Sequence, residues 1–197
     1  MAPDAPNLIV LAGPNGAGKS TTAPALLRDL LGVSEFVNAD TIAQGLSGFA
    51  PESSAIAAGR AMLARLDQLA SARADFAFET TLASRTFAPW IAKLRTSGYR
   101  IHLVFLWLPS ADLAVARVRD RVRAGGHDVP ELTVRRRYDR GLRNFSGLYK
   151  ALADRWIVYD NSQPAGARLI ARRELNSKEE ILDATTWKRT QAQLAVE

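Results

Sequence analysis

Gly13-Pro14-Asn15-Gly16-Ala17-Gly18-Lys19-Ser20 decides the fold of this chain. The run GxxxxGKS follows the apolar segment Leu8 to Ala12 and precedes a helix-forming stretch, the order of a P-loop. Glycines let a loop turn its backbone N–H groups inward around a chain of phosphates. The helix that follows adds unpaired donors and the positive end of its dipole. Lys19 is placed to reach the outer phosphates, Ser20 to offer a hydroxyl to Mg²⁺, and Thr21 to continue the helix start. The dinucleotide fingerprint G-x-G-x-x-G is excluded, because the glycine intervals here run in the opposite order. The expected ligand is therefore a nucleoside triphosphate.

A chain of 197 residues with 47% hydrophobic content suits one domain, residues 1–197, around one core. With no cysteine, a disulfide framework, a thiolate zinc site and thiol catalysis are excluded, and two isolated histidines do not build a metal site. The expected metal is Mg²⁺ carried with phosphate. Met1 to Pro6 lacks the pattern of a signal peptide, and the apolar run Ile101 to Leu108 is too short to span a bilayer, so a cytoplasmic protein is expected. The formal charge of +6 points to an acidic partner. Nine arginines lie between Asp112 and Arg143 against five acids, and they are not interleaved with aromatic residues, which fits a small phosphorylated ligand better than a nucleic acid.

Outward from the loop, the first helix is expected to run to about Leu31, with Leu26, Leu27, Leu30 and Leu31 facing the core, a local kink at Pro24 and an end at Gly32. Glu35 to Asp40 reads as a short strand ending in an acid. A carboxylate there lies at the ligand edge of an α/β sheet, where it serves as general base for a substrate hydroxyl or as cap of the next helix. Gly45 to Ser53 reads as a loop, and Ser54 to Arg73 as a helix buried through Ile56, Met62, Leu63, Leu66 and Leu69. Phe76 to Thr81 is again a strand ending in an acid, Glu79, which can hold substrate or a metal-bound water, or lie at the surface as a solvated group.

After a helix over 84–97, Tyr99 to Leu108 is a near-continuous apolar strand of a covered parallel sheet, with His102 as a hydrogen-bonded structural residue. Ser110 caps a helix whose stripe is Leu113, Val115, Val118 and Val122. Arg119 and Arg121 flank that stripe, and Arg117 and Arg123 point further out. Gly125-Gly126 stops it, and Pro130-Glu131 opens a helix bearing Arg135, Arg136, Arg137 and Arg140. Two arginine-bearing arms around a glycine hinge read as a lid over residues 117–140 that closes on phosphates, with two or three of the arginines in contact and the rest solvated. Gly141 and Gly147 interrupt the helical stretch to about Ala153. A fifth strand, Trp156 to Asp160, is followed by Asn161 and Ser162 at the ligand edge. Residues 167–175 add a short edge strand, and 178–194 a terminal helix.

In this combination the chain resembles the zeta-toxin family of P-loop kinases over roughly residues 7–163. The residues that carry the resemblance are the GPNGAGKST loop from Gly13, NAD ending in Asp40, FET ending in Thr80, RVRDRVRAGGHDVP ending in Pro130, RRRY at 135–138 and YDNS at 159–162. The resemblance implies an α/β P-loop kinase fold of three layers, with five parallel strands in the order 2-3-1-4-5 and helices on both faces. It implies ATP with Mg²⁺ as donor and the 3′-hydroxyl of the amino sugar of UDP-N-acetylglucosamine as acceptor. Asp40 would be the base, Glu79 with Thr80 the substrate ligands, and Arg121 and Arg136 the holders of the moving phosphate, while Asn161 and Ser162 would border the adenine. A separate antitoxin protein is the partner it suggests. The GGHDVP connection and the short length depart from the larger toxins. A P-loop kinase for another small hydroxylated molecule, or an ATP-dependent switch or nucleic-acid binder, remain the competing readings.

Overall fold

The computed structural model of the chain describes residues 5–30, 32–47 and 54–194. Strand β1 (Asn7–Ala12) is buried along nearly its whole length and runs straight into the phosphate loop. Helix α1 (Lys19–Ala23) widens into π-helical turns over Pro24–Leu30. The change falls at Pro24, which has no N–H to continue the regular ladder, so the expected kink takes the form of a wider helix. Leu26 and Leu27 are buried; the side chain of Leu30, and Leu31 altogether, lie outside the described residues.

Strand β2 (Glu35–Val37) is followed by α2 (Ala39–Leu46), α3 (Ala55–Ser71), β3 (Phe76–Thr80), α4 (Phe87–Thr96), β4 (Arg100–Trp107), α5 (Ala111–Arg123) and α6 (Glu131–Asn144). Helix α6 passes through a π segment (Phe145–Tyr149) into the short α7 (Lys150–Leu152), so neither Gly141 nor Gly147 breaks it. Then come β5 (Arg155–Asp160), β6 (Arg168–Arg173), β7 (Glu180–Ile181) and α8 (Ala184–Leu194). Gly45 belongs to α2, and the rest of the expected 45–53 loop beyond Ser47 lies outside the described residues.

The expected sheet of five parallel strands is corrected to a mixed sheet of seven, in the order β2-β3-β1-β4-β5-β6-β7. Strands β1 to β5 are parallel, whereas β5–β6 and β6–β7 pair antiparallel. The reason is connection length: residues 161–167 hold no helix and are too few for a crossover, so the chain can only double back. Among the described residues, no helix is long and apolar enough to cross a membrane.

Two buried stripes differ from expectation. On α3, Met62, Leu66 and Leu69 enter the core, but Ile56 is 76% exposed and Leu63 44% exposed. They stand on the flank of the helix that overlooks a cleft. On α5, Val122 is exposed and lines a groove with Val129, Pro130 and Val134. His102 links β4 to β1, its Nε2 lying 2.9 Å from Asn7 Oδ1, and burial holds its pKa below the ordinary value, in line with a structural role.

Candidate active site

The phosphate loop is held from behind by its neighbours. Gly13, Gly16 and Gly18 all have positive φ, at 145°, 75° and 81°. A Cβ on Gly13 would stand 2.4 Å from the carbonyl oxygen of Leu106 on β4, and one on Gly18 would stand 2.6 Å from Asn161 Nδ2. Side chains are therefore barred from both positions by conformation and by packing. Pro14 and Ala17 are buried, Ala17 N–H closes the turn onto the Pro14 carbonyl at 3.1 Å, and the buried Asn15 Oδ1 has no hydrogen-bond partner.

Lys19 is 5% exposed, and its ammonium donates to the carbonyls of Gly13 (2.8 Å) and Pro14 (2.9 Å), with Glu79 Oε1 at 3.7 Å. Burial lowers its pKa; the charges of Glu79 and Asp40 oppose that shift, and the charge of Arg121 adds to it. One carboxylate thus meets the buried ammonium directly, and the charges of Asp40 and Arg121 act on it through space. Ser20 Oγ donates to Glu79 Oε2 at 2.9 Å, and Thr21 lies exposed beside it on α1.

Asp40 is not the end of a strand and does not cap a helix. Strand β2 stops at Val37, Asn38 takes the extended cap position, and its Oδ1 accepts from the N–H groups of Asp40 (2.7 Å) and Thr41 (3.4 Å). Asp40 therefore lies in the first turn of α2, exposed, with its carboxylate free of the capping role weighed from sequence. Asparagine immediately before a helix is a strong cap signal, so this assignment was available from sequence. After β3, Thr80 Oγ1 accepts from Leu82 N–H at 3.1 Å, and Leu82 takes a left-handed φ of 55° while fully buried. That tight turn is pinned from α6, where Asn144 Nδ2 donates to the Leu82 carbonyl at 2.7 Å.

These residues line a cleft of about 590 Å³. Lys19, Asn38, Asp40, Glu79 and Thr80 form its floor, and Ile56 and Leu63 of α3 contribute an apolar wall. Arg136, Arg137 and Arg140 of α6 also line it, as does Arg60, which lies on the same face of α3 as Ile56 and Leu63. None of these four arginines has a hydrogen-bond or ion-pair partner among the described residues. Close packing sets α6 at this height, since a Cβ on Gly141 would stand 2.4 Å from the Thr81 carbonyl oxygen.

The remaining arginines sort by partner. Arg119 pairs with Glu131, Arg123 with Asp120, and Arg135 with Glu131 and Asp112, as solvated faces do. Arg117 crosses to β5, donating to the carbonyls of Asn161 (2.6 Å) and Ser162 (2.9 Å). Arg121 donates to the His127 carbonyl at 2.7 Å, and its Nε is buried without a partner. Asn161 Nδ2 donates to the Ala17 carbonyl at 2.7 Å, and Ser162 N–H to Asp160 Oδ1 at 2.9 Å, so the turn after β5 is fastened directly to the phosphate loop.

A buried P-loop lysine at one end of a parallel sheet, with arginine-bearing helices across the same end, belongs to the P-loop kinase class, and this chain has that fold. It is a member of the AAA_33 family, whose model, described as an AAA domain, matches residues 8–148. An uncharacterized protein of Haemophilus influenzae is 27% identical over 130 residues, covering 66% of this chain and 91% of the relative. Among solved structures, a chain of the AvrRxo1-ORF1:AvrRxo1-ORF2 complex with sulphate ions superimposes with a TM-score of 0.77 at 13% identity, covering 98% of this chain. This chain spans 65% of that one's length. A chain of the PezAT chromosomal toxin-antitoxin system of Streptococcus pneumoniae superimposes with a TM-score of 0.63 at 15% identity, covering 98% of this chain and 88% of that one. At such identities the structural likeness speaks to the fold.

Proposed function

We propose that the protein is an ATP-dependent small-molecule kinase that transfers the γ-phosphoryl group to a sugar hydroxyl, in the reading the zeta-toxin resemblance suggests the 3′-hydroxyl of the amino sugar of UDP-N-acetylglucosamine. The observation that carries this is one cleft lined by the buried Lys19, with Glu79 beside its ammonium, by Asp40 and Thr80, and by Arg60, Arg136, Arg137 and Arg140, four guanidinium groups with no partner among the described residues. The fit to a nucleoside triphosphate rests on the buried cation in the loop and on the buried Arg121 Nε, a donor with no partner among the described residues. The fit to Mg²⁺ rests on the hydroxyl–carboxylate pair Ser20–Glu79, hard oxygen donors of the kind that ion takes. ATP supplies the transferable phosphoryl group, and Mg²⁺ held at Ser20 would neutralise charge on its outer oxygens.

In this mechanism Lys19 holds the outer phosphate oxygens, and Arg121 and Arg136 meet the charge that spreads over the moving group. Asp40 takes the proton of the acceptor hydroxyl as that oxygen bonds to phosphorus and the bond to the bridging oxygen of ADP breaks. Glu79 and Thr80 orient the acceptor. Asn161 and Ser162 border the base, and Arg60, Arg137 and Arg140 face the rest of the acceptor, which matches a molecule with phosphate groups of its own. Through the resemblance the reading extends to a separate antitoxin protein as partner. Its overall test is whether the γ-phosphate of labelled ATP moves, with Mg²⁺ present, to a small hydroxylated acceptor or only to water.

Residues 117–140 act in this reading as a lid hinged at Gly125-Gly126, where Gly125 has a φ of 84°. With a non-hydrolysable ATP analogue and acceptor both present, amide hydrogen exchange in 117–140 should slow relative to the free protein. Identical exchange with and without ligands would make the arginines a static face.

A further inference from the structure

The Asn38 side chain joins three parts of the site that lie far apart in sequence. It is 7% exposed, and its two polar atoms do different work. Oδ1 accepts from the Asp40 and Thr41 N–H groups and so fixes the start of α2, the turn that carries Asp40. Nδ2 donates to Glu79 Oε2 at 2.8 Å and reaches Ser20 Oγ at 3.4 Å. Glu79 Oε2 is the same oxygen that accepts from Ser20. One planar amide thus ties the α2 turn to the carboxylate of β3 and the hydroxyl of the phosphate loop. An amide is suited to this because it presents an acceptor and a donor in one rigid plane; serine and aspartate cap helices as well but cannot donate an N–H in the other direction.

We propose that Asn38 is a positioning residue for phosphoryl transfer: by bridging the cap of α2 to Glu79 it holds Asp40 in register with the phosphate loop. A cap alone would let α2 pivot on the short strand β2, whereas the bond to Glu79 removes that freedom. Displacements of about an ångström suffice to slow a reaction that depends on near-attack geometry. The inference rests on the kinase reading above, and it is separable from it by experiment.

The test uses the full chain, the acceptor found by phosphate transfer and three variants. N38S keeps a good cap and loses the bridge, N38A loses both, and E79A removes the bridge from its other end. N38S should keep the melting temperature within a few degrees and the KM for ATP within about threefold, while kcat falls about tenfold or more. The double variant N38S/E79A should turn over within about threefold of E79A alone, because both changes cut one connection. N38S with kcat within threefold of the unmodified chain, or a double variant whose losses multiply, would overturn the proposal. So would losses in N38S and N38A that simply follow their melting temperatures, which is what a structural role predicts. The bridge is also read without turnover: the Asn38 side-chain amide resonances in a ¹⁵N spectrum should move in E79A, and resonances that stay in place would overturn it. An unmodified chain that transfers no phosphate sinks the kinase reading and the positioning role with it, a result distinct from transfer that survives N38S.

Discussion

Asp40→Asn should lower turnover with the acceptor by about 10²-fold or more while ATP binding stays intact. Asparagine keeps the size and much of the hydrogen bonding of aspartate but cannot take up the proton of an attacking hydroxyl. The structure sharpens this test, because the helix cap is Asn38 and the variant does not touch it. What remains besides chemistry is the charge Asp40 presents to the Lys19 ammonium and the attraction between a first-turn carboxylate and the start of α2, the latter worth about 0.3–1 kcal/mol. The melting temperature should therefore move little. Turnover of Asp40→Asn within a few-fold of the unmodified protein would remove Asp40 as base.

Lys19→Ala should weaken ATP binding by about 10-fold to 100-fold, the worth of a charge-assisted hydrogen bond, and abolish measurable transfer. Among the described residues no other ammonium lines the cleft, so none of them replaces the contact from within it. Folding is the quantity to watch beside it. The change removes a buried charge but leaves the Gly13 and Pro14 carbonyls and Glu79 without their shared donor. Calorimetric titration with ATP, accompanied by a melting curve, checks both. Equal affinity in a folded Lys19→Ala variant would take the phosphate loop out of the account.

Much of the fold was legible because its signals are local. The phosphate loop needs glycine at Gly13 and Gly18 for reasons of backbone angle and close packing, and those needs leave a fixed spacing in the chain. Strand β6 was expected within 167–175, whereas β7, two residues long, went unmarked and falls where the terminal helix was expected to start, a helix that begins only at Ala184. The direction of β6 follows from a connection, residues 161–167, too short for a crossover, a constraint already present in the strand bounds expected from sequence. Ile56 and Leu63 were expected in the core because periodicity reports that a residue is apolar and on a given flank; it does not report whether that flank meets a sheet or a cleft.

The site divides in the same way. Lys19 was found from the phosphate-loop motif, and Asp40, Glu79 and Thr80 from an expected place at strand ends that Asp40 does not hold; all four line one cleft. Arg60 left no signal, because it lies on another helix far from the arginine-rich stretch. Arg136 was singled out through the resemblance, whereas Arg137 and Arg140 stand beside it with no partner among the described residues and Arg121 turns to the His127 carbonyl. Which guanidinium is spent on a neighbouring acid depends on helix pairing, as in the ties of Arg119 and Arg135 to Glu131, and one-dimensional spacing does not encode it.

The most direct measurement of the central claim follows the γ-phosphate itself. The full chain is incubated with Mg²⁺ and ATP labelled at the γ-phosphorus, together with a panel of uridine- and sugar-containing alcohols headed by UDP-N-acetylglucosamine. The account predicts label in a new phosphate monoester of one of these small molecules, matched by release of ADP and lost in both Lys19→Ala and Asp40→Asn. Label recovered only as inorganic phosphate, at the same rate with and without every alcohol, would contradict it and leave a nucleotide-hydrolysing switch.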